Sequence, residues 1–261
     1  MNGIERLRTV EAVIIAHQNF GEADRLVTLF TREAGKIRGM AKGVRKMNSR
    51  KAAYLEPFMH SKVSLAKGNT FWIITQADAV KQFSGISDSL EKTGMAAYVL
   101  ELADRFTVEE DPAPNLFRLI VQTLERINTA DNSFNALFFF EMRVLDHAGF
   151  RPDLQNCVGC KKAIVAQDQY FSTSQGGAVC PQCGVLYQNV RKISLDALRY
   201  LRHFQRSTFT DVAGVSIPET IQDEISVLMS AYLSSIIERR LNTPDFIRQV
   251  SHSANADHTV Q

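Results

Sequence analysis

The sequence predicts an α+β chain of several domains, with a small β-barrel at the amino end followed by an α-helical domain that carries an inserted four-cysteine module. Three observations predict it. About five short β-branched and apolar runs, separated by Gly-containing turns, occupy the first eighty residues. Near Gly85 the apolar period lengthens to that of a helix. Later in the helical part, two C-x2-C pairs stand 19 residues apart.

The first strand is expected at residues 10–16 and the second at 26–31, with residues 32–35 as a hairpin turn in which Gly35 can take positive φ. From Lys36 the residues alternate. A period of two puts Ile37, Gly39 and Ala41 on one face and Lys36, Arg38, Met40 and Lys42 on the other. That second face is cationic, and Arg45, Lys46, Arg50 and Lys51 follow in a loop among Asn and Ser. No acidic residue occurs from Ala34 through Lys51. An unpaired face and loop of this sign suit a polyanion, nucleic acid being the commonest; the bland reading is a solvated basic surface. Residues 58–67 and 70–79 form a further hairpin across Lys67, Gly68 and Asn69, giving an OB-fold-like barrel. Trp72 and Tyr54 are candidate base-stacking platforms, although a lone Trp in an apolar strand more often belongs to the core.

Three helices follow. Met95, Val99, Leu102 and Phe106 recur at helical spacing, as do Leu116, Ile120, Leu124 and Ile127 after Asp111 to Pro114. The third, capped by residues 131–133 and ended by Gly149, carries the run Phe138, Phe139, Phe140. That apolar band is too wide for one stripe, so the helix is expected to be buried on most faces, with His147 a hydrogen-bonded structural residue. Two more helices start at Ser194 and around Ile221, the latter closing on Glu238, Arg239 and Arg240.

The charge is uneven. The 261 residues are 45% hydrophobic and 22% charged, with a net charge of +2. Residues 1–81 hold 14 Lys and Arg against 7 Asp and Glu, and the remainder holds 16 against 21. One part therefore suits a polyanion and the other suits proteins. The apolar stretch at residues 10–16 is interrupted by Glu11 and lacks a cleavage site, and no run approaches a membrane span. A cytoplasmic protein is expected, and in a reducing compartment the cysteines are not disulfides.

Cys157 and Cys160, with Cys180 and Cys183, have the spacing of a structural zinc site. Four thiolates complete a tetrahedron and leave no position for an activated water. Gly159 and Gly184 are expected to allow the tight knuckle turns, and the residues between read as a zinc ribbon. Redox use is the competing reading, but redox C-x-x-C motifs come singly. The sequence has no phosphate-binding loop, nucleophile elbow, zincin motif or dinucleotide fingerprint. Glu22, Asp24 and Glu33 are the carboxylates a divalent-metal nuclease would have to use.

Three features then coincide: Phe20 to Thr31 (FGEADRLVTLFT), Gly35 to Val44 (GKIRGMAKGV), and the paired knuckles within a helical segment. In these the chain resembles the RecO family of bacterial recombination mediators, over nearly its whole length. The resemblance implies an OB-fold that binds single- and double-stranded DNA, and a non-enzymatic role in DNA repair with no small-molecule substrate and no membrane. It also implies RecR and the single-stranded-DNA-binding protein SSB as partners, RecA indirectly through loading onto gaps, and strand annealing. DNA contacts are carried over onto Lys36, Arg38 and Lys42, and further onto Arg25, Arg45, Lys46, Arg50 and Lys51. The resulting division is an OB-fold domain at 1–81, a helical domain at 82–150 and 190–250, a zinc module at 151–189 and a disordered tail at 251–261. The alternative function is a zinc-ribbon adaptor between proteins without a direct DNA role.

Overall fold

The computed structural model describes residues 7–130 and 133–237. Five strands close into a barrel: β1 (Leu7–Phe20), β2 (Asp24–Thr31), β3 (Gly35–Ala41), β4 (His60–Ala66) and β5 (Trp72–Lys81), in the order β1-β2-β3-β5-β4. Closure depends on β1 serving two neighbours. Its first half pairs with β4 from Leu7↔Ala66 to Val13↔His60, its second half pairs with β2 from Ala12↔Thr31 to Phe20↔Asp24, and a bulge near Ile15 interrupts the β2 ladder just past the overlap. A bulge bends a strand and raises its twist, which is what turns β1 from one neighbour to the other. β1 therefore outruns the apolar stretch at 10–16, because the backbones of Gln18 and Asn19 pair with Leu26 and Arg25 although their side chains are polar. β3 and β5 meet in parallel at Gly39↔Trp72 and Met40↔Ile73.

The period of two in β3 holds. Ile37 and Ala41 join Ile14, Leu29, Leu65 and Ile74 in the barrel core. Gly39 shares that face because a Cβ there would come within 2.7 Å of the Ile74 side chain. In the hairpin turn Gly35 has a φ of +66°, and an added Cβ would lie 2.1 Å from the Asp111 carbonyl oxygen. Any other residue is excluded twice over.

The outer face of β2 is also apolar, and helices cover it. Phe30, fully buried, lies 6.2 Å from the ring of Phe117 in a tilted pair. Phe117 belongs to α2 (Pro114–Thr129), which packs with α1 (Leu90–Phe106) through the predicted stripes of Met95, Val99 and Leu102 and of Leu116, Ile120, Leu124 and Ile127. Ser89 caps α1 by accepting the Lys92 N–H, and Pro114 opens α2. Compact units accordingly divide between α2 and α3, not near residue 81: α1 and α2 go with the barrel.

The second unit is helical, with the cysteine module inside it. α3 (Phe134–His147) buries Phe138, Phe139 and Phe140 together with Val144 and Leu145, so its wide apolar band is core. His147, read as a structural residue, is instead exposed on the last turn. A three-stranded antiparallel sheet follows, built from β6 (Gln169–Ser172), β7 (Gly177–Val179) and β8 (Val190–Ile193) in the order β7-β6-β8, with a short turn of helix α4 (Pro181–Gly184) after β7. α5 (Leu195–Arg206) starts at the predicted Ser194, whose hydroxyl accepts the Ala197 N–H. Beyond α6 (Phe209–Val212), α7 (Glu219–Ile237) buries Ile225, Leu228 and Tyr232. Its Glu224 accepts both the N–H and the hydroxyl of Ser194, which fixes α5 against α7. Phe171 of β6 packs edge-on to Tyr232 at 5.3 Å, seating the sheet on α7. The tail at 251–261 and the residues 238–240 lie outside the described residues.

Candidate nucleic-acid interface and metal centre

The barrel cations singled out in the sequence fall into two sets. In the first, each is held by a carboxylate from a distant part of the chain. Lys36 sits on β3 with its side chain 14% exposed, and its Nζ donates to the Asp104 carboxylate at 3.0 Å and to the Asp104 carbonyl at 2.7 Å. Arg38, two residues on, pairs through Nε with Glu109 at 2.9 Å, both side chains remaining about half exposed. Arg25 on β2 donates to Glu56 at 2.6 Å, and His17 shares the same carboxylate at 2.8 Å. Burial pushes the Glu56 carboxyl up, yet the Arg25 guanidinium and His17 ring outweigh it and hold the acid below its usual range. The unpaired cationic face expected of β3 is thus corrected: Lys36 and Arg38 do point outward, but the last turn of α1 and the segment after it supply them with partners.

The second set lies in the loop between β3 and β4. Lys42, Arg45, Lys46 and Arg50 are exposed, and none pairs with a carboxylate among the described residues. The loop is nevertheless anchored. The Gly43 N–H donates to the Asp24 carboxylate at 2.7 Å, the Arg45 N–H to the Ala23 carbonyl at 2.9 Å, and the Arg45 guanidinium to the Gly21 carbonyl at 3.3 Å. This ties the basic loop to the β1–β2 turn, one of the two loops that flank the ligand face of an OB-type barrel. A groove of about 900 Å³ runs beside it, lined by Lys42, Arg50, Lys51 and Tyr54 on one side and by Gln76 and Asp78 of β5 on the other. Lys51 donates to the Ile74 carbonyl at 3.0 Å; burial lowers its amine below the ordinary lysine value, with Asp24 pulling the other way.

A second groove, of about 640 Å³, was not foreseen from the sequence. It lies between β3 and the β4–β5 turn, with Arg8, Arg38, Lys67 and Trp72 on its walls beside Glu109 and Glu110. Trp72 packs partly against the barrel core, and the Arg8 guanidinium stacks over its ring at 4.0 Å. Arg8 gives no local signal, being one of two arginines ahead of an apolar run. The carboxylates weighed for a nuclease do not converge: Asp24 accepts the Gly43 N–H, Glu33 accepts the Glu11 N–H at 3.1 Å, and Glu22 is exposed in the turn before β2.

The four cysteines do converge. Cys157 and Cys160 lie before the sheet, Cys180 and Cys183 at and within α4, and the four sulfurs all lie within 4.8 Å of one another. A tetrahedral ion with metal–sulfur bonds of about 2.3 Å needs sulfurs about 3.8 Å apart, and Cys160 and Cys180 are 3.9 Å apart. The donor set therefore fits a tetrahedral thiolate-bound metal. Burial raises the Cys157 thiol, but the backbone N–H groups of Cys180, Cys160 and Gly159 aimed at its sulfur prevail and bring it down to about 6. Cys183, which faces the other three sulfurs, is pushed up to about 12. Backbone donors on a sulfur are the outer hydrogen bonds that steady metal-bound thiolates. The turn chemistry differs from expectation in one respect: Lys161, with a φ of +62°, takes the left-handed position of the first knuckle, whereas neither Gly159 nor Gly184 has positive φ. Gly184 is required for space instead, since a Cβ would fall 2.4 Å from the Tyr170 ring.

The family model described as Recombination protein O N terminal matches residues 6–83, and that described as Recombination protein O C terminal matches residues 87–245. Among curated proteins, the chain is 33% identical over 228 residues to the DNA repair protein RecO of Dehalococcoides mccartyi (strain ATCC BAA-2266), covering 87% of this chain and 90% of the relative. It is 34% identical to that of Roseiflexus sp. (strain RS-1), covering 94% and 87%, and 31% identical to that of Bacillus subtilis (strain 168), covering 94% and 95%.

Proposed function

The chain belongs to the RecO family of DNA repair proteins, and from that premise we propose that it is a non-enzymatic recombination mediator whose DNA grip is the loop at residues 42–51 and the groove beside it. Single- and double-stranded DNA lie along Lys42, Arg45, Lys46, Arg50 and Lys51, with Tyr54 in the same groove offering a ring to an unpaired base. With RecR it loads RecA onto gaps coated by SSB, and it anneals complementary strands. It works in the cytoplasm; no helix among the described residues is long and apolar enough to cross a membrane.

One observation carries this reading: four exposed cations share a single anchored loop with no carboxylate among the described residues holding any of them. Cations in that state bind phosphates by releasing counterions, which gives affinity without sequence preference. A protein that acts wherever a gap forms requires such indifference. The four cysteines hold one zinc ion, which supplies a crosslink that ties the segment at 157–160 to α4 and leaves no open coordination position.

The test is a gel-shift salt titration with single-stranded and duplex oligonucleotides of unrelated sequence. The expected result is binding to both, with log K falling linearly in log salt and slopes equal between sequences of one strand type. Binding that ignores salt, or the absence of binding at low salt, overturns the DNA grip. Metal analysis after purification without chelators is expected to return one zinc per chain.

A further inference from the structure

After α1 the chain does not leave the barrel; it runs back as an acidic strap along the start of β3, on the edge that β5 leaves unpaired. Glu109 forms a parallel bridge with Lys36, and the Glu110 N–H donates to the Lys36 carbonyl at 2.9 Å. Asp111 lies so close to the hairpin turn that only Gly35 fits beneath its carbonyl. Glu110 holds a φ of +60°, a costly conformation for a residue with a Cβ, so the path of the strap is dictated by its docking. Just ahead of the strap, Asp104 in the last turn of α1 holds Lys36, and within the strap Glu109 holds Arg38. Glu109 and Glu110 then line the groove that also contains Arg38, Lys67, Arg8 and Trp72.

The two ion pairs differ in kind. Lys36 is largely buried and doubly bound to Asp104, so it pegs the end of α1 from which the strap departs. The Arg38–Glu109 pair is about half exposed on both sides and involves a single contact. An exposed pair of that type is weak and readily exchanged. A carboxylate oxygen 2.9 Å from an arginine Nε occupies the place of a phosphate oxygen in a phosphate–arginine contact.

We propose that Glu109 is a built-in phosphate competitor, which sets how strongly the β3 face and its groove accept a nucleic-acid backbone. The loop at 42–51 makes first contact, and a phosphate reaches Arg38 only by displacing the Glu109 carboxylate. The β3 groove is therefore engaged by ligands already held by the loop and resists isolated anions. This rests on the DNA-binding reading above.

The experiment measures single-stranded DNA affinity and its salt slope for the full chain, for E109Q, for E33Q as a carboxylate of the same groove that does not touch Arg38, and for E109Q combined with R38A. For E109Q the expected result is about two- to fivefold tighter binding at low salt and a slope steeper by roughly 0.7, one further phosphate contact. E33Q is expected to gain less, and the E109Q gain is expected to vanish in the R38A background. If E109Q binds like the unaltered chain, or if E33Q matches its gain, or if the gain persists without Arg38, the competitor is refuted while DNA binding by the loop stands. If the unaltered chain fails to bind DNA, the function itself falls, and the two failures are distinguished. Circular dichroism melting of E109Q with an unchanged midpoint confirms that the strap stays folded; a large drop would mean Glu109 holds the structure and refutes the exchange.

Discussion

Lys36 and Lys46 are ten residues apart on the same barrel, yet one is nearly buried against a carboxylate and the other stands in solvent. The stretch containing both has no acidic residue of its own. Its local charge therefore describes both equally well and their availability not at all. The difference comes from where the following chain goes. Asp104 and Glu109 arrive on β3 from some seventy residues further on, while no carboxylate among the described residues forms an ion pair with a cation of the loop. A positive run in a sequence gives a potential only after the carboxylates that the fold brings to it have been subtracted.

This contrast can be broken most directly at the loop. Replacing Lys42, Lys46 and Arg50 by Ala together is expected to weaken single-stranded DNA binding by about tenfold or more at low salt and to flatten the salt slope by roughly 2. Equal losses from the β3 cations would erase the distinction. Lys36→Ala is expected to act on the fold instead, lowering stability by about 1 kcal/mol, a few degrees in melting temperature, because Asp104 loses its partner and the end of α1 its peg. Its salt slope should move less than that of any single loop variant.

The smallest effect concerns a barrel group away from both sets. His60 is buried and bonded to Glu11 at 2.8 Å. Burial lowers its imidazole below the usual value, against the pull of Glu11. A folded value below the unfolded one makes protonation favour unfolding, so the contribution of His60 is complete above about pH 6.5 and declines as pH falls toward its folded value. The melting temperature of the unaltered chain is therefore expected to drop more between pH 7 and pH 5 than that of His60→Gln, with DNA salt slopes alike at pH 7. A parallel pH dependence in the two proteins would assign the effect to other groups.

Several elements were legible in the sequence for physical reasons. The hairpin at Gly35, the alternation through Ala41, the helical stripes and the Ser194 cap depend on neighbours within a few residues, and the structure contains them as read. The cysteine spacing was equally local in its two halves, and the fold brings the halves together. What escaped reading is long-range. The ion pairs of Lys36, Arg38 and Arg25 span 68, 71 and 31 residues, and no periodicity reports them. The stacking of Arg8 on Trp72 spans 64. Gly159 looked like the knuckle's flexible residue, but Lys161 takes that conformation, because a turn type is set by its hydrogen bonds, here Lys161 N–H to the Cys157 carbonyl.

The pairing of Phe30 with Phe117 bears on how the molecule can be cut. Both family-model matches and the switch from strands to helices suggest scissors near residue 83, but a fragment ended there would leave a wholly buried phenyl ring, and the edge of His60 against that same Phe117, facing water. A barrel so stripped presents a greasy flank, and clumping of such a piece would say nothing about its appetite for DNA. The shortest amino-terminal portion fit for isolation ends after the second helix, near residue 130.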